Sequence, residues 1–249
     1  MKFSISAASE VGCVRDKNED MILVDSQFVR NDTCTAEIRL DDTDRFIIAL
    51  ADGMGGHNSG EVASHDVLHN LEYYYHDLPS GLRPGDFNEM IFEWLESINH
   101  IIDSKGHSNP QYHDMGTTLV AFAFYGNEFY WMNCGDSRIY QFVGGQLMQI
   151  STDHSLSNLM GSTKHSNIIT NCIGGGCKTS FLDMVQFAES IIQPGNTFML
   201  CSDGLTDMLT DEQVEQLLAE GKTAPEMCAA AVAAGGYDNV SVCIIRIEE

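Results

Sequence analysis

The sequence predicts an α+β fold in which antiparallel sheets pack together and carry helices on their outer faces. Three observations predict it. Eight short strand-like runs are punctuated by turn residues, four helical stretches fall in two pairs instead of alternating with strands, and 43% of the 249 residues are hydrophobic. That apolar share is enough to offset the ordering entropy of a folded core.

In chain order, the strand-like runs begin at Met21 to Asp25 and Arg45 to Ala51. Two amphipathic helices follow. Ser59 to Tyr75 sets Val62, Leu68, Leu71 and Tyr75 near one stripe, and Asp86 to Ser104 does the same with Met90, Trp94, Ile98 and Ile101. Thr117 to Tyr125, Glu128 to Cys134, Arg138 to Val143 and Gln146 to Ile150 then read as a meander. Its turns at Gly126-Asn127 and Gly144-Gly145 are those of antiparallel hairpins. After the run Thr197 to Ser202, Thr210-Asp211-Glu212-Gln213 and Thr223-Ala224-Pro225-Glu226 are capping boxes ahead of a second helix pair, and Asn239 to Ile247 is the last strand. No Pro- or Ser-rich linker, repeat or low-complexity tract interrupts the chain, so residues 1–249 are expected to form one domain.

The net charge of −23 excludes partners that a basic surface would serve. Phosphate backbones would be repelled, and the thirteen Lys and Arg are scattered, so no nucleic acid is expected. No apolar run exceeds strand length and the first residues begin no secretory segment, so no membrane is expected and the location is cytoplasmic. A chain of this size needs no disulfide staples, and none of its eight cysteines forms a CxxC; they read as reduced thiols. Cys172 and Cys177, which flank Ile173-Gly174-Gly175-Gly176, leave a regulatory pair open.

The chemistry lies in where carboxylates fall. Asp52 ends one strand-like run and Asp203 ends another, each followed at once by a glycine, and Asp238 heads the final strand after Gly235-Gly236-Tyr237. Glu19 and Asp20 precede the strand at Met21. One Asp at a strand end is ordinarily a turn or cap residue. Several gathered at one end of a sandwich would repel each other and rise in pKa unless divalent cations neutralised them. Hard oxygen ligands point to Mg²⁺ or Mn²⁺ over Zn²⁺.

Six segments carry a resemblance: Arg15-Asp16-Lys17-Asn18-Glu19-Asp20, Asp52-Gly53-Met54-Gly55-Gly56, Met115-Gly116-Thr117-Thr118, Gly135-Asp136-Ser137-Arg138, Ser202-Asp203-Gly204-Leu205 and Asp238-Asn239-Val240-Ser241. Together and in this order, from Gly12 to Val242, they resemble the bacterial metal-dependent serine/threonine protein phosphatases of type 2C. The resemblance implies a four-layer αββα sandwich, two antiparallel sheets flanked by helices, with two metals at one end. It implies that Asp52 bridges both ions, that the Gly53 carbonyl and Glu19, directly or through water, serve one, and that Asp203 and Asp238 serve the other. Asp20 would hold metal-bound waters, and Asp114 matches the position of a third, weaker metal.

By the same resemblance, two Mn²⁺ or Mg²⁺ ions about 4 Å apart would activate a water to attack phosphorus in line, with no covalent phosphoenzyme. Arg15 would bind the phosphate dianion through its planar fork. The substrate would be a phosphoprotein, opposed by a serine/threonine kinase or an anti-sigma-factor system; a monomer is expected. Two departures stand out. Met54 occupies the place where many eukaryotic members carry a histidine that protonates the leaving group, leaving a metal-bound water or His57 for that task, with His57 read as a loop residue. The segment from His154 to Cys177 is short, implying a shortened flap.

Rival readings are weaker. His65-Asp66-Val67-Leu68-His69 resembles a helical zinc-protease motif but has the shorter acid and no third ligand. Gly174 to Gly176 is followed by no Gly-Lys-Ser/Thr, so it reads as a loop. A non-catalytic module that senses metal or docks a partner would be expected to have lost ligands, and a two-metal nuclease would need a basic groove.

Overall fold

The computed structural model describes residues 1–55, 59–161, 168–177 and 179–249. Among these the strands form two six-stranded sheets and one of three strands, with every pair antiparallel. The first sheet has the order β11-β10-β14-β15-β1-β4, from β1 (Lys2–Glu10), β4 (Asp32–Arg39), β10 (Arg138–Val143), β11 (Gln146–Gln149), β14 (Thr197–Cys201) and β15 (Val240–Glu248). The second runs β13-β9-β8-β5-β2-β3, from β2 (Met21–Val24), β3 (Gln27–Val29), β5 (Arg45–Ala51), β8 (Leu119–Tyr125), β9 (Glu128–Cys134) and β13 (Asp183–Gln186).

Strand alternation builds the layers. On β5, Phe46, Ile48 and Leu50 face the other sheet, where Phe3, Ile5, Phe198 and Ile245 complete the central core. Ile47, Ala49 and Ala51 face outward beneath α1 (Ser59–Asp77) and α2 (Pro84–Ser108), whose Val67, Leu71, Ile91 and Ile98 cover them. On β14 the same alternation sends Met199 and Cys201 outward, under Val214 of α5 (Asp211–Ala219) and Met227 of α6 (Ala224–Ala233). Four layers result, helices on both outer faces of a double sheet. Both capping boxes form as expected, at Thr210 with Gln213 and at Thr223 with Glu226.

Sequence periodicity missed β1, β3, β4 and β13. β1 reads KFSISAASE, with serines at buried positions, and is held by β15 on one side and β4 on the other. The third sheet, β12-β7-β6, consists of the two-residue strands β6 (Gly53–Met54), β7 (Gly116–Thr117) and β12 (Ile173–Gly174). Between His154 and Cys177 the chain forms α3 (Leu156–Leu159) and a bridge from Ser155 to Ile169. Residues 162–167 of the expected short flap, and His57, lie outside the described residues.

Candidate metal centre

The acids of the candidate site sit at strand ends: Asp52 and Asp203 follow β5 and β14, while Glu19, Asp20 and Asp238 precede β2 and β15. β5 ends at Ala51, and Asp52 is fixed from both directions: its N–H donates to Thr118 Oγ1 (3.0 Å), and its carbonyl accepts from Thr118 N–H (2.9 Å) and Thr117 Oγ1 (2.8 Å). Gly53 then passes under α1. A Cβ on Gly53 would lie 2.2 Å from the Gly60 carbonyl oxygen, so only glycine lets strand and helix touch here. Asp203 opens α4 (Asp203–Thr206) directly after β14, and Asp238 precedes β15. A Cβ on Gly204 would lie 1.9 Å from the Asn239 carbonyl oxygen, so the Asp203 and Asp238 turns are packed backbone to backbone.

The loop before β2 is tied to this edge by Asn239. Its Oδ1 accepts the Glu19 N–H (2.8 Å), and its Nδ2 donates to the carbonyls of Val11 (3.0 Å) and Lys17 (2.8 Å). The half-buried Glu19 carboxyl lies against the amino end of α1; burial raises it above its ordinary value, opposed by the backbone of Glu61, the charge of Arg15 and the backbone of Gly60. Asp20 is 1% exposed. Its Oδ2 accepts from Ser202 Oγ (2.8 Å), which in turn accepts the Ser241 N–H (3.0 Å). Arg30 braces the same segment, donating to the Asp20 carbonyl (2.8 Å), the Glu61 carbonyl (3.2 Å) and Ser64 Oγ (2.6 Å).

Electrostatics shows which acids share one place. Burial, then the charges of Asp20, Asp203, Asp136 and Asp238, pushes Asp52 well above the usual carboxylate range. Asp203 rises to about 8 through burial and then the charges of Asp136, Asp238, Asp207 and Asp20. Asp20 rises to about 6, chiefly by burial, against hydrogen bonds from Ser202, Ser241 and Asp52 that favour its ionised form. Burial and the crowding of like charges thus raise all three acids above the usual carboxylate range.

Asp136 is the residue whose role sequence reasoning missed, although the Gly135-Asp136-Ser137-Arg138 motif was in view. It is 9% exposed, burial raises it to about 6, and its charge acts on both Asp52 and Asp203. Arg138 of the same motif turns elsewhere, gripping Asp153 with contacts of 2.7–3.0 Å. Asp114 does not appear among the charges that shift Asp52 or Asp203 most. Its side chain is 68% exposed and pairs with His113 Nδ1 at 2.9 Å, on the rim of a cleft of about 1120 Å³ that Lys17, Arg30, Glu61 and Lys105 also line. Arg15, 54% exposed, pairs through Nη2 with Asp238 Oδ2 at 2.6 Å.

Two features fit a hard divalent cation. Asp20 Oδ1 and Asp136 Oδ1 are buried oxygens without a hydrogen-bond partner, and the donors are carboxylate and carbonyl oxygens throughout. Among the described residues no three His, Cys, Asp or Glu side chains stand close enough together to hold a metal ion as they are placed.

Comparison with known proteins agrees with the fold. The family model for protein phosphatase 2C matches residues 24–231. The serine/threonine protein phosphatase PstP of Mycobacterium tuberculosis is 30% identical over 97% of this chain, which spans 44% of that relative's length. A serine/threonine phosphatase of S. agalactiae superposes with a TM-score of 0.83 at 26% identity, covering 99% of this chain and 100% of that one. The catalytic domain of PstP, solved in complex with two manganese ions, gives 0.75 at 29% identity over the whole of both chains. With six motifs in order, the sandwich beneath them and the acids at its edge, the chain belongs to the protein phosphatase 2C family.

Proposed function

We propose that this chain hydrolyses phosphoserine and phosphothreonine in proteins, using two divalent cations, Mn²⁺ or Mg²⁺. The observation that carries the reading is the convergence of Asp20, Asp52, Asp136, Asp203 and Asp238 from separate strand ends into one electrostatically coupled group. The two manganese ions bound by the PstP catalytic domain support it. Asp52, the Gly53 carbonyl, Glu19, Asp203 and Asp238 would hold the ions. Glu19 would serve its ion directly or through water. A third, weaker site would draw on Asp114 as the motif suggests, although Asp136 is better placed beside Asp203.

When bound, such a pair of ions supplies an activated water and neutralises charge on the phosphoryl oxygens. The chain's own residues do the rest. Arg15 binds the phosphate dianion bidentately after leaving Asp238, a carboxylate that a cation would compete for. Asp20, anchored by Ser202, accepts hydrogen bonds from ordered water. Displacement at phosphorus is direct, without a covalent phosphoenzyme. Substrates are phosphoproteins, and a serine/threonine kinase or an anti-sigma-factor system would supply them. Among the described residues no helix is long and apolar enough to cross a membrane.

The test compares a phosphothreonine peptide, p-nitrophenyl phosphate and a plasmid, each with and without Mn²⁺. Mn²⁺-dependent turnover of the first two alone is expected. Cleavage of the plasmid would favour a nuclease, and no turnover of any would favour a binding module.

A further inference from the structure

Cys172 and Cys177 bring their sulfurs to 3.2 Å around a turn made of three glycines. Gly174, Gly175 and Gly176 all take left-handed φ, +74°, +61° and +76°, and this run folds Cys177 back over Cys172. The turn is anchored: Asn99 Oδ1 on α2 accepts the Gly174 N–H (2.7 Å), and the Met115 carbonyl accepts the Gly175 N–H (2.7 Å). Cys172 is 3% exposed and Cys177 half-buried.

The turn is wired to the candidate centre through backbone. Ile173 pairs with Thr117 and Gly174 with Gly116; on the other side of β7, Thr117 pairs with Gly53 and Gly116 with Met54. Thr117 Oγ1 donates to the Asp52 carbonyl (2.8 Å). A Cβ on Gly116 would lie 2.7 Å from Gly175 N, so the turn rests directly on this strand.

We infer that Cys172 and Cys177 are a site of reversible oxidation by a hydroperoxide, closing an intrachain disulfide that stiffens the triglycine turn and, through β12-β7-β6, the Asp52–Gly53 edge. Cys177, the more exposed sulfur, attacks the peroxide; an S–O bond forms, the O–O bond breaks, and one water or alcohol leaves. Cys172 then attacks the Cys177 sulfur; the S–S bond forms, the S–O bond breaks, and water leaves with the thiol proton. In sum, two thiols give one disulfide, and their two electrons and two protons reduce one peroxide. The sulfurs need approach by only about 1.1 Å to reach the bond length of roughly 2.05 Å. Burial pushes the Cys172 thiol well up, consistent with its acting second.

The test treats the full chain with a modest excess of hydrogen peroxide, blocks remaining thiols and maps the peptides. The expected result is a loss of two hydrogens in a Cys172–Cys177 crosslink that dithiothreitol reverses. With it should come a rise in melting temperature of roughly 4–8 °C and slower amide exchange across residues 52–54 and 115–117. Cys177→Ser, at the half-buried position, should remove all three effects, while Cys13→Ser with Cys34→Ser should keep them. A crosslink to Cys134 or between chains, oxidation to sulfinic acid without a crosslink, or a Cys172–Cys177 crosslink with unchanged exchange at residues 52–54 would each overturn the inference. None of these readouts depends on phosphatase activity.

Discussion

The Arg15 guanidinium and the Asp238 carboxylate meet at 2.6 Å across 223 positions of sequence, closing the loop after the first strand onto the turn before the last. The pair joins the residue proposed to hold phosphate to one proposed to hold metal. On that proposal each would mask the other until cation and substrate arrive. Hydrogen bonding to Asp238 raises Arg15 further above its ordinary value, so its charge is permanent.

Replacing Arg15 by Ala should therefore leave metal binding intact and raise KM for a phosphopeptide roughly tenfold or more, with a smaller effect on kcat, because the fork grips ground state and transition state alike. Steady-state kinetics alongside a Mn²⁺ titration checks this. Unchanged KM and kcat would remove Arg15 from phosphate binding.

Proton linkage gives a second expectation. Asp203 at about 8, and Asp52 well above the usual range, bind protons in the folded chain that the unfolded chain, with carboxylates near 3.9, releases. The folded state thus holds more protons between about pH 4 and pH 8. Metal-free stability is full below that window and declines as pH rises through it. Mn²⁺ must expel those protons, on the order of one or two at pH 7. Calorimetry in buffers of different ionisation enthalpy measures the release; a value near zero at pH 7 would contradict the coupled cluster.

Gly204→Ala tests the backbone packing that sets Asp203 against Asp238. A methyl 1.9 Å from the Asn239 carbonyl oxygen forces the two turns apart. The expected cost is about 1–3 kcal/mol, or roughly 2–4 °C per kcal/mol in melting temperature. Metal affinity should weaken in parallel. Thermal melts with and without Mn²⁺ read both, and wild-type behaviour in both would show that the contact is not needed.

The sequence was most legible where apolar runs were continuous, as in β5, β8 and β14, and where caps were complete, as at Thr210 and Thr223. β1 escaped because Ser6 and Ser9 are polar residues made tolerable only by partners: Ser6 Oγ accepts the Ala224 N–H, and Ser9 Oγ accepts from Asn18 and Ser241. β4 alternates between exposed and half-buried positions at a sheet edge, so no hydrophobic run marks it. At the site, Asp52, Asp203 and Asp238 were visible because each abuts a strand. Asp136 follows a strand too, but its bearing on Asp52 and Asp203 comes from a chain reversal that no local pattern encodes. The engagement of Glu19 by the amino end of α1 likewise depends on the Gly53–Gly60 contact, which exists only in three dimensions.

On the proposed function, these acids would hold the cations that hydrolysis requires. The most direct measurement is phosphate release from a phosphothreonine peptide by chelator-treated protein as Mn²⁺ is added back, with Asp52→Asn measured in parallel. No release is expected in chelator, with saturable recovery on adding Mn²⁺ and Asp52→Asn at least roughly a hundredfold slower at every Mn²⁺ concentration. Full release in chelator, or an Asp52→Asn variant that recovers like wild type, would contradict it.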